Sequence, residues 1–179
     1  YIDAINDVQS NFVFSIYVEK LKQFKSNIHL NHVGVSAIDV TTGKIYVYET
    51  CDTLTDKTLS AHETYRFIHS HSSNPKEIVL NFSNQEKDTE FLNILGLKQF
   101  YLNQWMNDEM YKISYQSKLF EKYYPSTIMT PIEHINLEQH PQAITSLCVL
   151  FQYIYEHNPK LLTRINKPEY WDLNQHLLL

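Results

Sequence analysis

Hydrophobic and polar positions follow two periods along this chain, and each change of period marks an element. Asn11 to Val18 (NFVFSIYV) is aromatic and β-branched, the composition of a strand. Glu19 to Ile28 is polar, with Lys20, Lys22 and Lys25, and reads as a loop. From Val33 to Tyr48 two apolar runs, VGVSAIDV and IYVY, flank Thr41-Thr42-Gly43-Lys44. Gly43 can take a positive φ there, so the segment predicts a β-hairpin. In its first arm Val33, Val35 and Ala37 share one face while Ile38 and Val40 share the other. Both faces are apolar, which predicts a central strand covered on both sides.

Helical spacing follows. Ser60 to Ser70 predicts a helix with Ser60 and Glu63 as a capping box and Ala61, Tyr65 and Ile68 as its apolar stripe. Glu77 to Leu80 (EIVL) is a short buried strand, Asp88 to Leu95 a helix stopped by Gly96, and Gln99 to Leu102 a further strand. Together these predict an α/β fold, a mixed sheet with helical crossovers. Tyr115 to Tyr123 is a helix ended by Pro125, and Ser126 to Glu138 reads as a linker. Ala143 to Glu156 is a strongly apolar helix entered at Pro141 and stopped at His157-Asn158-Pro159. Lys160 to Leu179 reads as irregular or extended. The pattern places a boundary between the α/β domain and a helical appendage near residues 125 to 140. Ala143, Ile144, Leu147, Cys148, Leu150, Phe151, Ile154 and Tyr155 cover more than one face of the apolar helix. That helix is expected to want neighbours from a larger helical body, and to drive self-association through Ala143 to Tyr155 unless it folds back on the sheet.

Composition narrows the chemistry. The 179 residues, 43% hydrophobic and 20% charged, suffice for a real core. The net charge of -5, with only Arg66 and Arg164 as arginines, argues against a free-standing DNA-binding module or single-strand binder. There are 3 glycines where average usage of ~7% would give about a dozen, so every glycine-built phosphate cradle is excluded. Cys51 and Cys148 lie far apart and form no CxxC, which indicates neither zinc nor a disulfide framework and suits a reducing compartment. No run of eighteen apolar residues suggests a membrane span. Tyr1 in place of Met and the closing Leu177-Leu178-Leu179 suggest a segment of a longer protein.

Asp39 and Glu49 end the two hairpin arms, and clustered carboxylates on such a sheet could hold two metal ions. Against that, Asp39 is expected to accept turn N–H groups, Glu49 to be a solvated strand end, and the EIVL and QFYL strands supply no further acid. His62 and His69 lie seven apart on one helix, poor spacing for a metal, and read as surface residues with His71. His29 and His32 beside Lys20, Lys22 and Lys25 could form a small phosphate patch, though a solvated loop explains them. Ser15, Cys51 and Cys148 have no adjacent base, and Cys148 reads as core. Trp105, Trp171 and most tyrosines fall at packing positions.

The order of these segments resembles the connector domain of the MutS family of DNA mismatch-repair proteins. The residues that carry the resemblance are Asn11, Phe12, Ser15 and Tyr17, then Gly34, Ala37, Asp39, Thr42, Gly43 and Glu49. The later stretch from TPIEHINLE onward looks like the linker and opening of the family's core or lever domain. TPIEHINLE and the Asn, Ile, Tyr and Lys bias look most like the giant-virus and octocoral-mitochondrial branch, whose members carry a fused nuclease. The resemblance implies a ribonuclease-H-like fold without catalytic carboxylates. It implies residues 1–10 as a linker from a preceding domain, 11–125 as the connector, 126–140 as a linker and 141–179 as the start of the lever. It also implies a non-catalytic segment that relays conformational change and offers a docking surface, within a parent ATPase using ATP and Mg. The implied partners are mismatched DNA through the parent, other MutS domains, a parent homodimer and a MutL-like protein. The implied location is intracellular and cytoplasmic, or a viral factory or organelle in the virus-like branch. The competing reading is an active metal-dependent nuclease using Asp39 and Glu49.

Overall fold

A computed structural model describes residues 11–172. One six-stranded sheet holds β1 (Phe12–Lys22), β2 (His29–Asp39), β3 (Ile45–Cys51), β4 (Glu77–Phe82), β5 (Tyr101–Leu102) and β6 (Glu169–Tyr170), in the order β5-β4-β1-β2-β3-β6. β1, β2 and β3 form an antiparallel meander, while β4 pairs with β1, β5 with β4 and β6 with β3 in parallel. Parallel neighbours need crossovers. Helix α1 (Leu59–His71) connects β3 to β4, and α2 (Thr89–Leu95) connects β4 to β5. Three further helices follow: α3 (Ile113–Tyr123), α4 (Pro131–His134) and α5 (Pro141–His157). The expected α/β, ribonuclease-H-like mixed sheet with flanking helices is the fold.

Strand alternation sends successive side chains to two cores. Phe14, Ile16, Val18, Val33, Val35 and Ala37 meet α1 and α2 on one side. Val13, Ile38, Ile45, Val47 and Val79 meet α5 on the other. β2 is therefore covered on both faces, as its apolar pattern predicts. Asp88 caps α2 by accepting the Phe91 N–H at 3.1 Å, and Gly96 ends it at φ 60. Cys148 is fully buried in α5.

The structure differs from the sequence reading in four places. First, β1 continues to Lys22, which pairs with His29, so Glu19 to Lys22 is strand and only the tip is loop. Backbone pairing with β2 extends past the point where the side chains turn polar. Second, Ser60 lies inside α1 rather than capping it. Its N–H and Oγ–H both donate to buried Asp52 Oδ1, at 2.9 and 2.6 Å, while Glu63 accepts from the Tyr48 and Thr50 hydroxyls. Third, Tyr65 is 43% exposed, and Phe67 takes its place in the stripe.

The fourth difference concerns domain organisation. The expected linker 126–140 contains α4 and buries Ile132, Ile135 and Leu137 in the same core as α5 and the sheet. Helix α5, expected to open a lever domain over 141–179, packs chiefly on β2 and β1. The physical reason is plain: the sheet's second face needs an apolar cover, and α5 supplies it. The cause expected for self-association, an uncovered helix, is thereby removed, with Tyr155 left on the outer side at 57% exposure. The linker expected over residues 1–10 and the last residues, 173–179, lie outside the described residues.

Candidate functional site

The hairpin β2–β3 carries both carboxylates singled out for chemistry on the sheet, Asp39 and Glu49, and its two ends do different work. At the turn, Asp39 Oδ1 accepts from the Thr41 N–H (2.9 Å), the Thr41 hydroxyl (2.7 Å) and the Thr42 N–H (3.4 Å). Burial pushes this carboxyl up, and the bonds from Thr41 and Thr42 more than offset it, holding it below the ordinary 3.8. Thr42 Oγ1 accepts the Lys44 N–H, and Gly43 takes φ 79 while its carbonyl accepts the Asn166 N–H at 2.9 Å. Asn11 completes this end by accepting the Val40 N–H through its carbonyl at 2.9 Å. The Asx-turn reading of Asp39 describes the geometry.

At the other end, Gly34 and Glu49 pair across β2 and β3 and face the start of α5. A Cβ on Gly34 would stand 2.0 Å from the Gln142 carbonyl oxygen and 2.5 Å from the Ala143 nitrogen. Only a glycine lets the helix approach so closely. Glu49 Oε1 accepts the Gln142 N–H at 2.8 Å, and Oε2 lies 3.0 Å from His140 Nδ1. A carboxylate from a strand thus caps the positive end of a helix that has no side-chain cap of its own. Burial raises the Glu49 carboxyl above its ordinary 4.5, against the opposing bonds from Gln142 and His140. Tyr170 of β6 closes the junction. Its hydroxyl accepts the Glu49 N–H at 3.0 Å and donates to the Glu49 carbonyl at 3.2 Å, and its ring stacks on His140 at 4.3 Å. Gln142 Nε2 reaches Glu19 of β1 at 3.0 Å. One turn further along, Ser146 Oγ donates to the Ser15 carbonyl at 2.7 Å and meets Ser36 Oγ at 2.9 Å.

Glu49 is therefore not a solvated strand end; it ties β3, β6 and α5 together. Nor does it meet Asp39. Glu49 is level with Gly34, five positions from Asp39 along β2, about 17 Å at ~3.4 Å per residue. Among the described residues no group of three or more His, Cys, Asp or Glu could hold a metal. The histidines of α1 have structural partners: His62 Nδ1 lies 2.9 Å from the Thr58 carbonyl, His71 Nδ1 lies 2.7 Å from the Phe67 carbonyl, and the His69 ring lies 4.1 Å from that of Tyr65, tilted by 42°. Burial raises both thiols, Cys51 with help from Asp52, which disfavours thiolate chemistry at either. Lys20, from the suspected phosphate patch, pairs with Asp88 at 3.4 Å. Trp171 packs edge-on against Tyr48 and Phe67, and Trp105 against Tyr101 and Tyr153.

The residues brought together here thus form a mechanical joint between hairpin and helix. Sequence reasoning missed the roles of His140, Gln142, Ser146 and Tyr170. The signal available was a run of small residues, Gly34 and Ser36 on one strand face and Ala143 and Ser146 on one helix face.

A family model for MutS domain II matches residues 11–166. A DNA mismatch repair mutS homolog of Acanthamoeba polyphaga mimivirus is 26% identical over 209 residues, covering 100% of this chain and 18% of the viral protein. The DNA mismatch repair protein MutS of Caldanaerobacter subterraneus subsp. tengcongensis is 27% identical over 178 residues, covering 98% of this chain and 17% of the bacterial one. The chain spans less than a fifth of the length of either relative. The match to residue 166 runs through α5, in agreement with the packing of that helix on the sheet.

Proposed function

Because this chain belongs to the MutS family of DNA mismatch-repair proteins and corresponds to its domain II, we propose that it is a rigid connector that relays conformational change between the neighbouring parts of a mismatch-repair ATPase. The observation that carries the reading is the junction at Glu49. Three segments distant in sequence meet there, so displacement of the β6 end moves α5 and the hairpin as one piece. Among the described residues the first strand, β1, and the last, β6, belong to the same sheet.

The connector has no chemistry of its own on this reading. The residues of the chain do not suit ATP: Gly34 admits α5, Gly43 turns the hairpin and Gly96 ends α2, so none is available to cradle phosphates. ATP, Mg, contact with mismatched DNA, homodimerisation and any MutL-like partner belong to the parent protein, acting inside the cell. No helix among the described residues is long and apolar enough to cross a membrane. The nuclease alternative has no supporting observation, since Asp39 and Glu49 are apart and each already occupied. Glu49→Ala in the full-length parent tests the relay. Mismatch binding should persist while its ATP-dependent release slows, and unchanged release kinetics would reject the reading.

A further inference from the structure

A second feature lies on the α5 side of the sheet, beside the joint. A cleft of about 590 Å³ opens between α3, α4 and the first turn of α5. Its floor is apolar, made by Ile132 and Ile144, and its rim carries Ile113, which is 72% exposed. Three carboxylates line it, Glu19, Glu133 and Glu138, and no lysine, arginine or histidine does. None of the three takes part in an ion pair among the described residues. Glu19 is moreover held in place by the Gln142 carboxamide at 3.0 Å, through one oxygen only.

We propose that this cleft docks a cationic amphipathic segment of a partner protein, with one or two large apolar side chains on the isoleucine floor and lysines or arginines against the three glutamates. The volume lies in the range of clefts that enclose a drug-sized ligand, roughly 300–1,000 Å³, enough for one or two large side chains. The apolar floor gives an occupant something to bury. The charge selects its sign, because carboxylates of one sign around a concave apolar wall attract cations and repel phosphates and acidic chains. DNA is therefore disfavoured at this face. The proposal adds a docking surface to the relay reading, and it can fail while the relay at Glu49 survives, because the two use different measurements.

The test is a titration of the chain with an amphipathic leucine–lysine peptide, followed by amide chemical shifts, beside its counterpart with glutamate in place of every lysine. Shifts are expected at Ile113, Gln116, Ile132 and Thr145 with the lysine peptide alone. Glu133→Lys combined with Glu138→Lys, both exposed positions, should weaken binding at least roughly tenfold. Glu86→Lys with Glu90→Lys, exposed and outside the cleft, should leave it unchanged. Equal binding of both peptides, shifts elsewhere, no binding, or insensitivity to the cleft reversal would each overturn the proposal. So would a short DNA duplex that perturbs the same amides.

Discussion

The two ends of one hairpin carry the same chemical group in opposite circumstances. Asp39 is satisfied within three residues, by Thr41 and Thr42 of its own turn. Glu49 is satisfied from residues 140 and 142, some ninety positions away. The first arrangement shapes a loop. The second holds a domain together, and only the second gives the chain a way to transmit force between distant segments.

The comparison can be broken most severely at Gly34. Gly34→Val puts side-chain atoms where the Gln142 carbonyl stands and should destabilise the chain by about 3 kcal/mol or prevent folding, as read by urea denaturation. Glu49→Ala should cost about 2 kcal/mol, because the buried Gln142 N–H loses its acceptor. Asp39→Ala should cost about 1 kcal/mol, since solvent can reach the turn N–H groups that it leaves. If Asp39→Ala proves the costlier of the two, the contrast between local and long-range carboxylates is wrong.

Acid titration sharpens the contrast through its sign. Asp39 sits below its ordinary 3.8, so its contribution is complete above that value and is lost as pH falls through the lower folded value. Glu49 sits above its ordinary 4.5, so its charged form is penalised at neutral pH. That penalty is relieved as pH falls through the raised folded value towards 4.5. Denaturation midpoints should respond to acidification with opposite slopes in the two windows. Glu49→Gln should remove the upper one, and an unchanged profile in that variant would contradict the assignment.

The pattern of legibility follows the same division. The Val33–Tyr48 hairpin, the Asp88 cap, the Gly96 stop and the Asx role of Asp39 are local events, written in adjacent residues. What lay hidden was pairing across the chain. Helix α5 displays apolar residues on several sides, which fits burial in a foreign helical body as well as burial between the sheet and α3. Nothing within 141–157 decides between them. Gly34 does decide, because a glycine in the middle of a doubly covered strand marks a close backbone approach, but its partner lies more than a hundred residues on. Glu49 looked solvated for the same reason, its helix partner being invisible from the strand. The family resemblance identified the connector, but nothing in it showed that Ile132, Ile135 and Leu137, in the stretch it implied as a linker, share a core with α5 and the sheet.

The claim on which this account turns is that α5 is part of the connector and locked to its central strand. Native-state hydrogen exchange measures this directly. The amides of Leu147 to Phe151 should open with the same free energy as those of Val35 to Ala37, both tracking global unfolding. If the α5 amides exchange through a separate, lower-energy opening while β2 stays protected, the helix is an appendage and the joint at Glu49 does not hold it.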